Sequence, residues 1–254
     1  MLRVICSGLA LLGLMTSPLQ AKESIKMSLG QYRIADSSGS YWYTPVSATY
    51  KNSQYKARLS VPYISDYQGQ SGLGNATVKL SYLSQWNSLY IDFHVKQKLD
   101  TADSDLTLPV KDRAASVEVS GYVLGGVAFI ELGHWWRENY TVSQTAVNQE
   151  TGAQSIIPEK QDRLVQRDGQ TTQTVERENS FYYVLGAVYP IKKGWIAGFV
   201  LDYKPTALGG LDRAASTLLQ YKINSKQKLS VTLGKGLSSS SPDWISGLNW
   251  SFKY

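Results

Sequence analysis

The sequence predicts an all-β protein, a transmembrane antiparallel up-and-down β-barrel of about 12 strands. Its last nine residues, SGLNWSFKY, alternate between large apolar and small or polar side chains, which indicates a strand with two different environments on its faces. After residue 21 the chain has no run of about 20 apolar residues, so only a β-barrel could carry it across a bilayer. Short and long connections alternate between the predicted strands, as in outer-membrane barrels.

The N-terminal segment predicts export from the cytoplasm. Residues 1–21 combine Arg3 with an apolar run and then small residues up to Ala21. This pattern is typical of a cleaved secretory signal, because the run is too short to span a membrane, and a retained anchor is the alternative. We expect cleavage before Lys22 and a single barrel domain over 22–254, in the outer membrane of a Gram-negative bacterium.

Composition narrows the class of protein further. Cys6 is the only cysteine, so the exported chain has none and needs a large core or a closed sheet in place of disulfides. The 17 tyrosines and 7 tryptophans suit a β-protein with many positions at a membrane interface. The net charge of +6 is mild and no basic block or recognition motif occurs, so we expect no nucleic-acid partner.

The predicted strands are twelve alternating segments. Pro45 and Pro62 weaken the second and third of them, because proline cannot donate to a strand ladder. Connections after even-numbered segments are short, and those after odd-numbered segments are mostly longer, which predicts an end with turns and an end with extracellular loops. The approximate ranges are 24–35, 41–50, 54–63, 75–84, 88–98, 114–124, 127–141, 179–189, 194–204, 214–223, 227–236 and 243–254.

The longest connection, near 142–178, is predicted to be an extracellular loop. Its flanks, YTVSQTAV and TTQTVERE, contain enough β-branched residues to favour an extended hairpin. The alternative is a segment folded into the lumen as a constriction.

The apolar faces of the predicted strands carry aromatic residues near both ends and aliphatic residues between them. Tyrosine and tryptophan favour the headgroup level of a bilayer, and two aromatic girdles around an aliphatic band are typical of lipid-facing barrel walls. A sandwich core would instead place its aromatic residues in the middle of each strand. The predicted girdle residues are Tyr55, Tyr63, Tyr189, Trp195, Tyr203, Trp244, Trp250, Phe252 and Tyr254.

The opposite, polar faces are predicted to line the lumen, because a charge on the lipid face at mid-depth costs about 2–4 kcal/mol. Basic residues dominate the third to fifth segments, and Glu118 and Glu131 lie on the next two. We therefore expect a basic wall opposite an acidic one, which would select charged solutes. The alternative is that these charges pair and fill a closed lumen. The predicted pore-lining residues are Lys56, Arg58, Lys79, Asp92, His94, Lys96, Lys98, Glu118, Glu131, Arg137, Asp202 and Lys204.

The sequence lacks the residue patterns of two kinds of outer-membrane enzyme. Neither His94 nor His134 starts the His-x-Ser pattern of lipid-acting barrels. Asp92 and His94 have the spacing of an omptin-type dyad, and Asp103 and Asp105 could mimic its acidic pair, but Asp92 lies near the opposite end of the barrel. We expect no enzymatic activity, no catalytic residue and no cofactor. Two histidines on different strands without a thiol also predict no metal site.

Three stretches carry a resemblance to a known family: SGLGNATVKLSY, KLDTADSDL and SSSSPDWISGLNWSFKY. They resemble an outer-membrane transporter-like family labelled MetA pathway of phenol degradation, from about Tyr43 to the C-terminus. The chain has Asn75 where the family usually has Asp, and Asp100 where it usually has Pro. The resemblance implies a barrel with a channel-like role. The terminal aromatic strand also resembles the signal that the barrel-assembly machinery reads.

The function expected from these observations is a passive channel for small anionic or amphipathic solutes. The alternative is a closed structural or partner-docking barrel without transport. The expected partners are outer-membrane lipid and lipopolysaccharide, the barrel-assembly machinery during biogenesis, and small solutes.

Overall fold

A computed structural model describes residues 23–36, 39–66, 69–102, 111–145, 164–167, 170–175, 177, 179–205, 211–239 and 241–254. The predicted fold class is confirmed, because the chain is all-β and forms a closed antiparallel barrel of twelve strands. Within the described ranges, no helix is long and apolar enough to cross a membrane. The predicted signal peptide lies outside the described residues.

Sixteen strands occur in the described residues. They are β1 (Ser24–Asp36), β2 (Gly39–Lys51), β3 (Tyr55–Asp66), β4 (Ser71–Leu73), β5 (Thr77–Trp86), β6 (Leu89–Lys98), β7 (Arg113–Val123), β8 (Gly126–Trp136), β9 (Tyr140–Thr145), β10 (Leu164–Arg167), β11 (Gln170–Val175), β12 (Ser180–Lys192), β13 (Trp195–Pro205), β14 (Leu211–Lys222), β15 (Gln227–Gly236) and β16 (Trp244–Lys253). The twelve barrel strands agree with the predicted segments, except that β8 ends at Trp136 and not near residue 141.

Each barrel strand pairs with its neighbours in the ring. The order is β1, β2, β3, β5, β6, β7, β8, β12, β13, β14, β15 and β16, and β16 pairs with β1 to close the sheet. Closure leaves the barrel without an edge at which unfolding or aggregation could start. The short β4 pairs with the end of β3, and β9, β10 and β11 form a small separate sheet within the longest connection.

The two ends of the barrel differ in their connections. Turns of two to four residues join strands at one end, which we call the turn end; the N-terminus of β1 and the C-terminus of β16 also lie there. Leu124 and Gly125 form one such turn with φ values of 49° and 82°, which fits the type I′ turn preferred between twisted strands. The other end carries the longer connections as well as the two-residue connection between β1 and β2, and we call it the loop end.

Pro45 and Pro62 are accommodated because they lie at interruptions of the ladders. They are opposite each other in the β2–β3 register. The pairing of β2 with β1 is interrupted around Pro45, and the partner of β3 changes from β5 to β4 around Pro62. The missing N–H of each proline therefore costs no strand pairing.

The outer wall is a belt of exposed apolar side chains, with at least one large exposed apolar residue on each barrel strand. A contiguous apolar surface of this extent is unusual for a soluble monomer and typical of a lipid-facing wall. Among the predicted girdle residues, Tyr55, Tyr63, Tyr189, Trp244, Trp250 and Tyr254 are exposed, and Trp195, Tyr203 and Phe252 are partly exposed.

The interior is not polar throughout, which corrects the prediction that the inward faces are polar. One buried apolar cluster lies towards the loop end and contains Tyr32, Ile34, Tyr43, Ile64, Ala214 and Ile245. A second contains Ala114, Phe129, Tyr182, Val184 and Val200. The aromatic rings fit because glycine lies opposite them: Tyr32 faces Gly247, Tyr182 faces Gly133 and Phe129 faces Gly186. A Cβ on any of these glycines would overlap with the ring.

Candidate functional site

A cavity of about 520 Å³ occupies the lumen at the turn end. Nine lysines and one arginine line it, and no Asp or Glu occurs among the described residues of its lining. The half-buried members are Lys26, Lys51, Lys56, Arg58 and Lys228, and the exposed members at the rim are Lys192, Lys193, Lys222, Lys226 and Lys253. We call this cavity the basic vestibule.

The strand register concentrates these charges. Alternate residues of a strand share a face, so Lys56 and Arg58 point the same way from β3. Three pairs of lysines are also directly opposite each other across neighbouring strands: Lys26 and Lys253, Lys51 and Lys56, and Lys222 and Lys228. Like charges directly opposite each other destabilise a sheet. Folding alone therefore gives no reason for this arrangement.

Towards the middle of the barrel, a buried network connects four adjacent strands. Glu131 on β8 is only 1% exposed. Its Oε1 accepts hydrogen bonds from Lys96 Nζ at 2.8 Å, Ser116 Oγ at 2.7 Å and Tyr182 OH at 2.8 Å. Lys96 Nζ also donates to Tyr182 OH at 3.0 Å. Side chains of β6, β7, β8 and β12 thus share one acceptor inside the lumen.

A second buried group lies on β6 and β7. Asp92 and Glu118 are directly opposite each other in the register, and His94 is two residues further along β6. His94 Nδ1 is 2.9 Å from Ser81 Oγ, and its Nε2 is 3.6 Å from Glu118 Oε2. One potential ligand atom from each of Asp92, His94 and Glu118 lies within 4.8 Å of the others. We call these three residues the lumen triad.

The predicted pore-lining residues are found inside the barrel or at its loop end, with different surroundings. Lys79, Asp92, His94, Lys96, Glu118, Glu131, Arg137, Asp202 and Lys204 are buried, and Lys56, Arg58 and Lys98 are half-buried. The prediction that a basic wall lies opposite an acidic one is wrong for Lys96 and Glu131, because these two residues bond directly to each other. Lys204 and Asp202 form a separate buried ion pair of 2.6 Å on β13.

At the loop end, Arg177 anchors the longest connection. Its guanidinium donates to both carboxylate oxygens of Asp112, at 2.6 and 3.0 Å, and both side chains are fully buried. Arg137 lies nearby, and burial, with a further contribution from the charge of Arg177, lowers the pKa of Arg137 to about 10. Arg137 therefore remains charged at neutral pH.

The longest connection also contains the predicted hairpin. β9 pairs with β11 from Tyr140 and Val175 to Thr145 and Gln170, as its flanking sequences predict. The residues that would decide whether its tip enters the lumen lie outside the described ranges.

Sequence reasoning missed much of the basic vestibule, including Lys26, Lys51 and Lys228. A usable signal was present, because most of the vestibule lysines lie within a few residues of a predicted short turn or a chain terminus. Asp92, His94 and Glu118 are among the predicted pore-lining residues, but the sequence does not show that they form one group, because they belong to two strands. Asp103 and Asp105, considered as a mimic of a protease site, lie outside the described residues.

The fold is a closed antiparallel β-barrel with charged residues in its lumen. The chain is similar in structure to the COG4313 outer membrane channel from Pseudomonas putida F1, with a TM-score of 0.63, 11% identity and coverage of 94% of this chain and 97% of that chain. It is also similar to the NanC porin, with a TM-score of 0.59, 9% identity and coverage of 91% and 100%. For the KdgM porin the TM-score is 0.52, with 14% identity and coverage of 91% and 99%.

Identities this low establish the fold alone. No family model matches the chain, and no curated protein matches it. The phenol-pathway label is not among the names of the three structures, so that part of the resemblance remains an expectation.

Proposed function

We propose that the chain is an outer-membrane channel through which small anionic solutes diffuse passively. The observation that carries the proposal is the basic vestibule, in which ten cationic side chains line a cavity of about 520 Å³. A cavity of this size lies within the range of about 300–1,000 Å³ that holds small molecules. The exposed apolar belt supports an outer-membrane location, with lipid and lipopolysaccharide around it.

The charge of the vestibule explains the preference for anions. A lumen lined by one sign of charge raises the local concentration of the opposite ion. The three opposed lysine pairs reduce the stability of the sheet, so their presence is understandable if they serve anion recruitment. The effect falls as salt shortens the Debye length, which is about 10 Å at 0.1 M.

The remaining parts of the proposal concern biogenesis. Export through a cleaved N-terminal signal and recognition of the terminal aromatic strand by the barrel-assembly machinery would deliver the chain to the outer membrane. Trp250, Phe252 and Tyr254 are the residues of that strand that the machinery would read.

Single-channel recording in a planar bilayer tests the proposal. The wild-type protein should conduct, and its reversal potential in a salt gradient should indicate anion preference. The variant Lys26→Glu/Lys228→Glu reverses two vestibule charges and should shift the reversal potential towards cations, most clearly at low salt. The matched control is Lys235→Glu, which makes the same change on β15 but at an exposed position where Lys235 lies over the ring of Trp244.

The control variant should leave selectivity unchanged. Conductance with equal selectivity in the wild type and the double variant would place the vestibule outside the permeation path and contradict the proposal. An equal shift in Lys235→Glu would show that the effect is one of overall charge and not of the vestibule.

A closed barrel without transport is the second candidate, and a specific observation favours it. The network around Glu131 and the two apolar clusters fill part of the lumen beyond the vestibule. Folded wild-type protein without conductance would support this candidate. Lys96→Ala/Glu131→Ala, which removes the network, should then produce a conductance that the wild type lacks.

A further inference from the structure

We propose that the lumen triad, Asp92, His94 and Glu118, binds one divalent transition-metal ion, with Zn²⁺ as the ion to test. The proposal does not depend on transport, because a closed barrel could hold the same ion. It rests on the convergence of three acceptor atoms, on the unsatisfied nitrogen of His94, and on the charge of the two carboxylates.

The distances suit a metal better than a hydrogen bond. His94 Nε2 and Glu118 Oε2 are 3.6 Å apart, which is too long for a hydrogen bond between them. Two ligands that bind tetrahedral Zn²⁺ at about 2.0–2.2 Å are themselves about 3.4 Å apart. The potential ligand atoms of Asp92, His94 and Glu118 already lie within 4.8 Å of one another, so small side-chain movements complete the geometry.

His94 is oriented for such a role. Its Nδ1 is 2.9 Å from Ser81 Oγ, and this contact fixes the ring so that Nε2 points towards the carboxylates. His94 is only 4% exposed, and within the described part of the chain its Nε2 is buried without a hydrogen-bond partner. A buried polar atom without a partner is unfavourable, and a metal ion at Nε2 would satisfy it. Ser81 would then be the outer partner that metal-binding histidines usually have.

The charges of the triad also favour a divalent cation. Asp92 and Glu118 are directly opposite each other on β6 and β7, and both are buried. Carboxylates in this position repel each other, and one Zn²⁺ ion would neutralise both. Lys56, Lys51 and Lys79 also act on Asp92 electrostatically. Their positive charge lowers the affinity for a cation, so we expect a dissociation constant in the micromolar range.

The site is close to the basic vestibule. Lys56 lines the vestibule and is opposite Ser81 in the β3–β5 register, and Ser81 is opposite His94 in the β5–β6 register, so His94 lies two strands from the vestibule lining. Water from the vestibule can supply the fourth ligand, since three protein ligands and one open position are a common arrangement for Zn²⁺.

Isothermal titration of the full-length exported chain, purified without a histidine tag and treated with a chelator, tests the proposal. We expect one Zn²⁺ per chain with micromolar affinity, a rise in unfolding temperature that a chelator reverses, and visible absorption bands when Co²⁺ replaces Zn²⁺. His94→Gln and Glu118→Gln should each weaken binding at least tenfold. His134→Gln is the matched control, because it removes the other histidine, which packs against Trp136 and Phe181.

Several results would overturn the proposal. One is the absence of Zn²⁺ binding to folded wild-type protein at millimolar metal; another is binding that both triad variants retain. If a variant fails to show the gel mobility of a folded barrel, Zn²⁺ binding by the Asp92→Asn variant and the Co²⁺ spectrum of the wild type test the proposal in its place. None of these measurements uses conductance, so their failure is distinct from failure of the channel proposal.

Discussion

The buried network around Glu131 predicts that the charges of Lys96 and Glu131 are strongly coupled in their effect on stability. Replacing Glu131 by Leu leaves three donors without their shared acceptor: Lys96 Nζ, Ser116 Oγ and Tyr182 OH. The hydroxyls can rotate towards other acceptors, but among the described residues the buried ammonium then keeps only its hydrogen bond to the Tyr182 oxygen, at 3.0 Å. Breaking a buried ion pair from one side costs about 3–5 kcal/mol, so we expect the free energy of unfolding to fall by that amount.

A double variant measures the interaction between the two charges separately from the interactions that each charge makes with its surroundings. Lys96→Met leaves a buried carboxylate that still accepts hydrogen bonds from Ser116 and Tyr182. The free energy of unfolding should therefore fall by about 3 kcal/mol, the lower end of that range. Lys96→Met/Glu131→Leu removes both charges, so its free energy of unfolding should lie within about 2 kcal/mol of the wild-type value. The losses of unfolding free energy in the two single variants would then sum to several kcal/mol more than the loss in the double variant. This difference measures the coupling between the two charges.

The assay is equilibrium unfolding in detergent micelles with denaturant, followed by tryptophan fluorescence and by gel mobility. Lys222→Met at the exposed rim of the vestibule is the control and should change stability by about 0.5 kcal/mol or less. Additivity of Lys96→Met and Glu131→Leu within about 0.5 kcal/mol would refute the reasoning, because independent sites behave in that way.

Two further predictions concern the loop end and the terminal strand. Asp112→Asn removes the carboxylate that holds Arg177 by two hydrogen bonds, so a protease should cut the 137–179 connection at least tenfold faster while the barrel keeps its folded gel mobility. Phe252→Ser/Tyr254→Ser removes two aromatic residues of the last strand, so the amount of folded protein in the outer membrane should fall while the selectivity of the remaining channels is unchanged.

Each of these has a control and a contrary result. Asp243→Asn, at an exposed loop-end position, should not change the rate of proteolysis. Equal rates in Asp112→Asn and the wild type would mean that the buried pair does not anchor the loop. Tyr122→Ser, at an exposed position next to a turn, tests whether any loss of an outer aromatic lowers assembly. Equal losses would remove the special role of the last strand.

The fold could be predicted because side-chain alternation needs no knowledge of neighbouring strands. Tyr55, Leu59 and Tyr63 are exposed on β3 as their spacing predicts, since a period of two places them on one face. The site could not be predicted in the same way, because contacts such as Lys96 with Glu131 join β6 to β8, which are not adjacent. Such contacts depend on barrel diameter and stagger, which alternation does not report.

The apolar interior was missed for a different reason. On β1, Ile25, Met27 and Leu29 are exposed, whereas Tyr32 and Ile34 are buried. The apolar residues thus move from odd to even positions partway along the strand. The change is visible in the sequence, but only the closed barrel shows that it turns aromatic and aliphatic residues into the lumen.

The contact of Tyr32 with Gly247 joins the first strand to the last, at the seam where the cylinder closes. A slip of two residues in either direction would place Tyr32 opposite Ile245 or Asn249, where a Cβ occupies the space that the ring needs. A slip of one residue would turn the ring to the outer face. The fit of one aromatic ring over one glycine therefore favours the observed stagger over slips of one or two residues at the point where the two ends of the sheet meet.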